Sequence, residues 1–244
     1  MDSLREHPGN LELFPRAEKI KGLYFFDERF DRGERWYRSH FPTTSTRLGS
    51  ERRLGHHVVA GEGSPYYLFH PLAPARAKAL VPNAQILVVL RNPIERAFSH
   101  WKERRRNQTE PLDFAAALAA EPDRLAGETE RIERRPGYRS FAHRHCSYAA
   151  QGDYAPMLER WFGAFGRNQV WVASSEEVFA DPQAAVDEVH DRLGLPGHRL
   201  ADYRRLNAEP SRDLDPGLRR ELATEFAPAI TATERLLGRA LPWS

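Results

Sequence analysis

The string ILVVLRNPIERAFSHW, residues 86–101, constrains this chain most: five aliphatic residues run straight into Arg91-Asn92-Pro93 and then into a helical pattern. A strand with no polar alternation is apolar on both faces, which is the pattern of a parallel sheet covered by helices. Residues 23–26 and 170–173 have the same character, and 58–60 reads as a short strand. Residues 73–80, 94–105, 112–120, 154–165, 184–193 and 216–237 carry apolar side chains at spacings of three and four, as amphipathic helices do. Strand alternating with helix predicts an α/β fold, a parallel sheet flanked by helices.

No repeat or linker divides the 244 residues, which are enough to bury a core without disulfide or metal staples. A single domain over 1–244 is expected. The polar stretch 121–137 reads as a surface excursion, and residues 1–7 as the tail of a helix stopped by His7-Pro8-Gly9.

A net charge of +2 gives no basic coat for nucleic acid. Cys146 is the sole cysteine, which excludes an internal disulfide and fits a reducing, cytoplasmic compartment. The longest aliphatic run, 86–90, is far short of a membrane span, and MDSLREHPGN carries no signal-peptide pattern. The only lysines are Lys19, Lys21, Lys78 and Lys102; the excess of arginine and alanine suggests a GC-rich, bacterial genome.

The turn after residue 90 carries the chemistry. Asn92 is a good N-cap and Pro93 suits the first helical position, so the positive end of a helix dipole begins beside Arg91. Arg91 thus stands at the carboxyl end of a central strand, where open α/β sheets bind ligands, and its planar fork suits a phosphate. Ile94, Phe98 and Trp101 form the core stripe, leaving Asn92, Glu95 and Ser99 on another face. Helical side chains lean toward the N-terminus, so the Ser99 hydroxyl can point at an anion held by Arg91. From these residues alone a solvated strand end and a surface serine are the plainer readings.

The string Arg91-Asn92-Pro93-Ile94-Glu95-Arg96-Ala97-Phe98-Ser99 resembles the 3′-phosphate-binding motif R-D-P-x-E-R-x-x-S of sulfotransferases that use 3′-phosphoadenosine 5′-phosphosulfate, particularly the heparan-sulfate type and its bacterial relatives. KGLYFFDERFDRGERWYRSHFP resembles the family segment K-E-x-H-F-F-D…G…W-Y-x-x-x-F-P, and GEGSPYYLFHPLAPARAKALVPNAQ the E-x-[ST]-P-x-Y-L loop with its helix. The likeness runs from about residue 4 to the end, through GDYAPMLERWFGAFGRNQVWVASSEEVFADPQAAVDEVHDRLGL and FAPAITATERLLGRALPW.

The resemblance implies a sheet fold related to nucleotide kinases, with Arg91 and Ser99 on the donor's 3′-phosphate and in-line transfer of a sulfuryl group to a hydroxyl or amine. It also implies further contacts from the arginine-rich stretch 203–212, where Arg205 and Arg212 are candidates; a solvated basic loop is the alternative there. The family's lysine, in a K-x-G-[ST]-[ST]-type loop after the first strand, has no counterpart in this sequence. Met1 falls inside the helix expected to follow that loop, so the first strand and phosphate loop are expected upstream or absent. Losing such a charge at a developing anion costs about 3 to 4 kcal/mol. A truncated or non-catalytic nucleotide-binding module is therefore the alternative, and an unpaired sheet edge would favour self-association.

The acceptor side departs from the pattern too. Gly22 stands where many relatives have glutamate, Tyr24 replaces the usual histidine, and Gly63 replaces a lysine of the heparan-sulfate type. Glu62 and His40 are the candidates for the base, by carboxylate or imidazole chemistry; a structural hydrogen bond and a turn histidine are the plainer readings. Trp36, Tyr37, Tyr66 and Tyr67 could line an acceptor crevice or pack in the core. The run 102–106 reads as an exposed helix face. His143, His145 and Cys146 match no zinc spacing, so no metal is expected. The acceptor is expected to be a small molecule or carbohydrate.

Overall fold

Two parallel strands organise the fold, with helices packed on both faces. The structure is a computed structural model that describes residues 4, 6–14, 22–201 and 214–243. Helices α1 (Gly33–Arg38), α2 (Thr44–Leu54) and α3 (Ala73–Leu80) precede strand β1 (Ile86–Leu90). Helices α4 (Pro93–Arg106), α5 (Phe114–Leu125), α6 (Glu128–Arg134), α7 (Phe141–His145) and α8 (Tyr154–Phe165) lead to β2 (Val170–Ser174). Helices α9 (Ser175–Ala180), α10 (Pro182–Leu193) and α11 (Pro216–Leu237) follow.

β1 and β2 pair in parallel from Ile86 opposite Val170 to Leu90 opposite Ser174. Successive side chains leave a strand on opposite faces. Val88, Leu90 and Val170 accordingly join the main core with Met157, Leu158 and Trp161 of α8. Leu87, Trp171 and Ala173 pack on the other face against Val189 and Leu193 of α10, with Leu4 beside them. Val89, on that second face, is 55% exposed. A further cluster, including Ile94, Phe98, Phe114, Tyr148, Leu222 and Phe226, fastens α4 to α5 and α11.

Helices α3, α8 and α11 have the bounds that periodicity predicts. α4 and α10 start earlier, because Asn92 and Asp181 cap them ahead of Pro93 and Pro182. α5 starts later than expected because the Asp113 carboxylate accepts from the Ala116 N–H at 2.8 Å, which fixes the cap there.

Residues 23–26 are a turn, not a strand. Tyr24 is left-handed (φ 51°), and the N–H groups of Glu28 and Arg29 both donate to its carbonyl. The apolar run reports burial: Leu23 and Phe25 are 2% and 1% exposed. Of 58–60, only Val59 makes a bridge, to Asn10. The stretch 121–137 is no surface excursion either, since it carries the end of α5 and α6 and buries Glu121, Glu128 and Ile132. Glu121 accepts from the N–H groups of Tyr148, Ala149 and Ala150 at 2.7 to 2.8 Å. A charge-dense sequence does not disclose that its carboxylates have buried partners.

Candidate functional site

Arg91 and Asn92 form the turn between β1 and α4, at the carboxyl edge of the sheet. Asn92 Oδ1 accepts from the N–H groups of Ile94 (3.0 Å) and Glu95 (3.3 Å), a cap of the kind that contributes about 1 kcal/mol. Glu176, in the first turn of α9, accepts from the Asn92 N–H (3.2 Å) and from Trp243 Nε1 (2.9 Å). The Tyr154 hydroxyl donates to the Arg91 carbonyl at 2.8 Å. The turn's backbone is therefore held from several elements.

The Arg91 side chain has no hydrogen bond or ion pair among the described residues, and the residue is half-buried. A cation fixed at its backbone and unpaired at its head suits an oxyanion. Because Asn92 occupies the first free amides of α4, the helix adds its dipole there rather than open N–H donors. Ser99 is half-buried on α4, one turn beyond Glu95, whose carboxylate pairs with Arg219 of α11 at 2.6 Å. Arg96 serves the scaffold: it donates to Gln151 Oε1 and to the carbonyls of Ser147 and Tyr148. Arg205 and Arg212 lie outside the described residues.

The second group of polar residues lies where the loop 61–67 meets the turn 22–28. Glu62 is half-buried as a residue, with its carboxyl end turned inward. It accepts from the Leu23 N–H (3.2 Å) and from the Tyr67 hydroxyl (3.0 Å). Burial pushes its carboxyl up to about 7, against the pull of those two hydrogen bonds, and nearby Asp27 adds to the rise. Tyr67 in turn accepts from the N–H groups of Phe25 (2.7 Å) and Phe26 (3.3 Å). A carboxylate poised near neutrality has the proton affinity of an effective general base.

Gly22 explains one departure from the resembled pattern. A Cβ there would lie 1.7 Å from the Gly63 carbonyl oxygen, so the two backbones leave no room for a side chain at 22. Glu62 nevertheless brings a carboxylate to the amide of the very next residue, Leu23.

Asp27 is the residue that sequence reading passed over. It is buried, and burial raises its carboxyl; Oδ2 accepts from the Ser64 hydroxyl at 2.7 Å. An acidic residue directly after the apolar pair Phe25-Phe26 was the available signal. His40 closes the end of α1: its Nδ1 donates to the Trp36 carbonyl (2.7 Å) and its ring lies edge-on to Trp36. Tyr37 and Tyr67 belong to the main core, with Trp36 packed against it.

Tyr66 shares a hydrogen bond of 2.7 Å with His143 Nδ1, and Arg104 makes one with His145 Nδ1. Burial lowers both imidazoles to about 4. Among the described residues no group of three or more His, Cys, Asp or Glu is arranged to hold a metal ion, and no helix is long and apolar enough to cross a membrane. Lys102, Glu103, Arg105 and Arg106 are exposed, while Arg104 is half-buried.

Comparison with known proteins gives a consistent family. The sulfotransferase domain matches residues 64–209, a segment that contains Arg91 and Ser99 and begins two residues after Glu62. The mouse bifunctional heparan sulfate N-deacetylase/N-sulfotransferase 1 is 28% identical over 197 residues, 78% of this chain and 20% of that protein. The human heparan sulfate glucosamine 3-O-sulfotransferase 6 is 30% identical over 180 residues, 70% of this chain and 43% of that protein. The chain thus spans less than half the length of these curated relatives. A crystal structure of a sulfotransferase from Alicyclobacillus acidocaldarius superposes with a TM-score of 0.72 and 29% identity, covering 98% of this chain and 90% of that one. Because the domain match takes in more than half of the 244 residues, and the fold agrees over nearly all of them, this chain belongs to the sulfotransferase family.

Proposed function

We propose that this chain transfers a sulfuryl group from 3′-phosphoadenosine 5′-phosphosulfate to a hydroxyl or amine of a small-molecule or carbohydrate acceptor. The observation that carries this reading is the Arg91 guanidinium, unpaired among the described residues, at the carboxyl end of β1, in a turn whose backbone is clamped by Asn92, Tyr154 and Glu176. Arg91 and Ser99 take the donor's 3′-phosphate, and Arg205 and Arg212 add contacts to it. Glu62 accepts the acceptor's proton as its oxygen or nitrogen attacks sulfur; the bond from sulfur to the 5′-phosphate oxygen breaks, and 3′-phosphoadenosine 5′-phosphate leaves. His40 is the second candidate for the base. Sulfuryl transfer, like phosphoryl transfer, asks chiefly for positioning and charge stabilisation.

A second reading, nucleotide binding without transfer, is favoured by one observation: on the acceptor side Gly22 stands where the resembled pattern has a glutamate. The lone Cys146 supports a reducing, cytoplasmic setting for either reading.

Calorimetric titration with 3′-phosphoadenosine 5′-phosphate, paired with an assay of its release from the sulfate donor over an acceptor panel, tests both. Binding together with acceptor-dependent release supports transfer. Binding without release supports the module, and no binding overturns both readings.

A further inference from the structure

Four histidines from separate parts of the chain meet in one cluster. The ring of His7 lies edge-on to His190 at 4.6 Å, to His198 at 5.3 Å and to His56 at 5.7 Å between centroids. His7 and His190 are 2% and 1% exposed. His56 follows α2, His190 belongs to the last turn of α10, and His198 lies in the loop beyond it.

The partners of His7 determine its protonation. Nε2 donates to the Pro196 carbonyl at 2.9 Å, and Nδ1 accepts from the Gly9 N–H at 2.8 Å. Only the neutral ring fits, because a proton on Nδ1 would set donor against donor at Gly9. His190 is enclosed with no hydrogen-bond partner at either nitrogen, so it too offers no stabilisation to an added charge. Among the described residues the titratable neighbours of His7 are the imidazoles of His56, His190 and His198; those of His190 are His7, His198, Asp187 and Asp191. Burial and the neighbouring imidazoles lower both His7 and His190.

The cluster stands among contacts that join distant parts of the chain. Glu6 accepts from the Ala201 N–H at 3.3 Å, Gly9 accepts from the Val59 N–H at 2.8 Å, and Leu11 donates to the Val59 carbonyl at 2.7 Å. We propose that His7 is a proton-operated latch: neutral, it ties residues 6–11 to the loop 195–201 and to Val59, and a proton entering the cluster releases them. Val59 lies three residues before Glu62, so opening loosens the backbone that leads into the candidate base.

Amide hydrogen exchange at about pH 7.5 and 5.5, corrected for intrinsic rates, tests the latch. Gly9, Leu11, Val59 and Ala201 are expected to lose protection several-fold at the lower pH, because a group that holds its proton less tightly when folded loosens its contacts as it protonates. His7→Gln keeps a donor toward Pro196 and cannot titrate, so it abolishes the step, whereas His57→Gln on the exposed neighbour retains it. Equal protection at both pH values in the wild type, or a step that survives in His7→Gln, overturns the proposal. Should His7→Gln not fold, NMR titration of the wild-type His7 ring decides: a midpoint below 6.5 that coincides with the exchange step supports the latch, and one at or above 6.5 overturns it.

Discussion

The Tyr67 hydroxyl donates to Glu62 across 3.0 Å while accepting from the Phe25 N–H at 2.7 Å, so one buried oxygen joins the candidate base to the aromatic turn. Tyr67→Phe removes that oxygen and leaves the buried Phe25 amide without its acceptor. The expected loss is about 1 to 3 kcal/mol in urea unfolding. Without the donor the Glu62 carboxyl rises further, so the acidic limb of any pH–rate profile should move to higher pH.

Glu62 also predicts a pH dependence of stability. Its folded value, about 7, lies above the ordinary 4.5, so the native state holds the proton more tightly than the unfolded chain. The contribution is full below about pH 4.5 and is lost as pH rises through 7, by about 3 kcal/mol in all. Glu62→Gln cannot titrate and should be more stable than wild type at pH 8 yet similar near pH 4. If Glu62 is the base, the same variant loses about two decades or more of transfer rate. Unfolding curves at the two pH values, beside a transfer assay, separate the two effects.

Arg91→Ala should abolish binding of 3′-phosphoadenosine 5′-phosphate in calorimetry, since removing one partner of a charged, hydrogen-bonded pair costs about 2 to 5 kcal/mol. Ser99→Ala should cost less, about 1 kcal/mol. Thermal stability should hardly change in Arg91→Ala, because its side chain has no partner to lose among the described residues. Unchanged affinity in that variant would move the 3′-phosphate away from this turn.

Gly22→Ala drives a methyl group into the Gly63 carbonyl at 1.7 Å, where only backbone can yield. Overpacking of this kind should cost about 3 kcal/mol, read as a fall in melting temperature. A Gly22→Glu variant meant to restore the resembled glutamate should fail for the same reason.

β1 is paired on one side only among the described residues, and Val89 is 55% exposed. Unpaired strand edges invite association. Light scattering should show a mass above that of the monomer, falling toward it in Val89→Lys; a monomeric wild type at high concentration counts against the expectation.

What could be read without the fold was local. The strand 86–90, the Asn92-Pro93 start of α4 and the bounds of α3, α8 and α11 depend on neighbours within a few residues, where periodicity and capping act. The placement of Arg91 before the start of α4 and of Ser99 within it was legible for the same reason. Residues 23–26 form a turn where the apolar run predicts a strand, because the acceptor that stabilises the turn, the Tyr67 hydroxyl, lies about forty residues away. Glu62 could be named but not understood: only tertiary structure supplied the burial that lifts its carboxyl and the Gly63 carbonyl that requires glycine at 22. The seat of His7 was equally invisible, because Pro196, His190 and His198 reach it from the far end of the chain. Short-range hydrogen bonding and side-chain periodicity are written along the sequence, whereas desolvation and close approach are set by groups that meet only when the chain is folded.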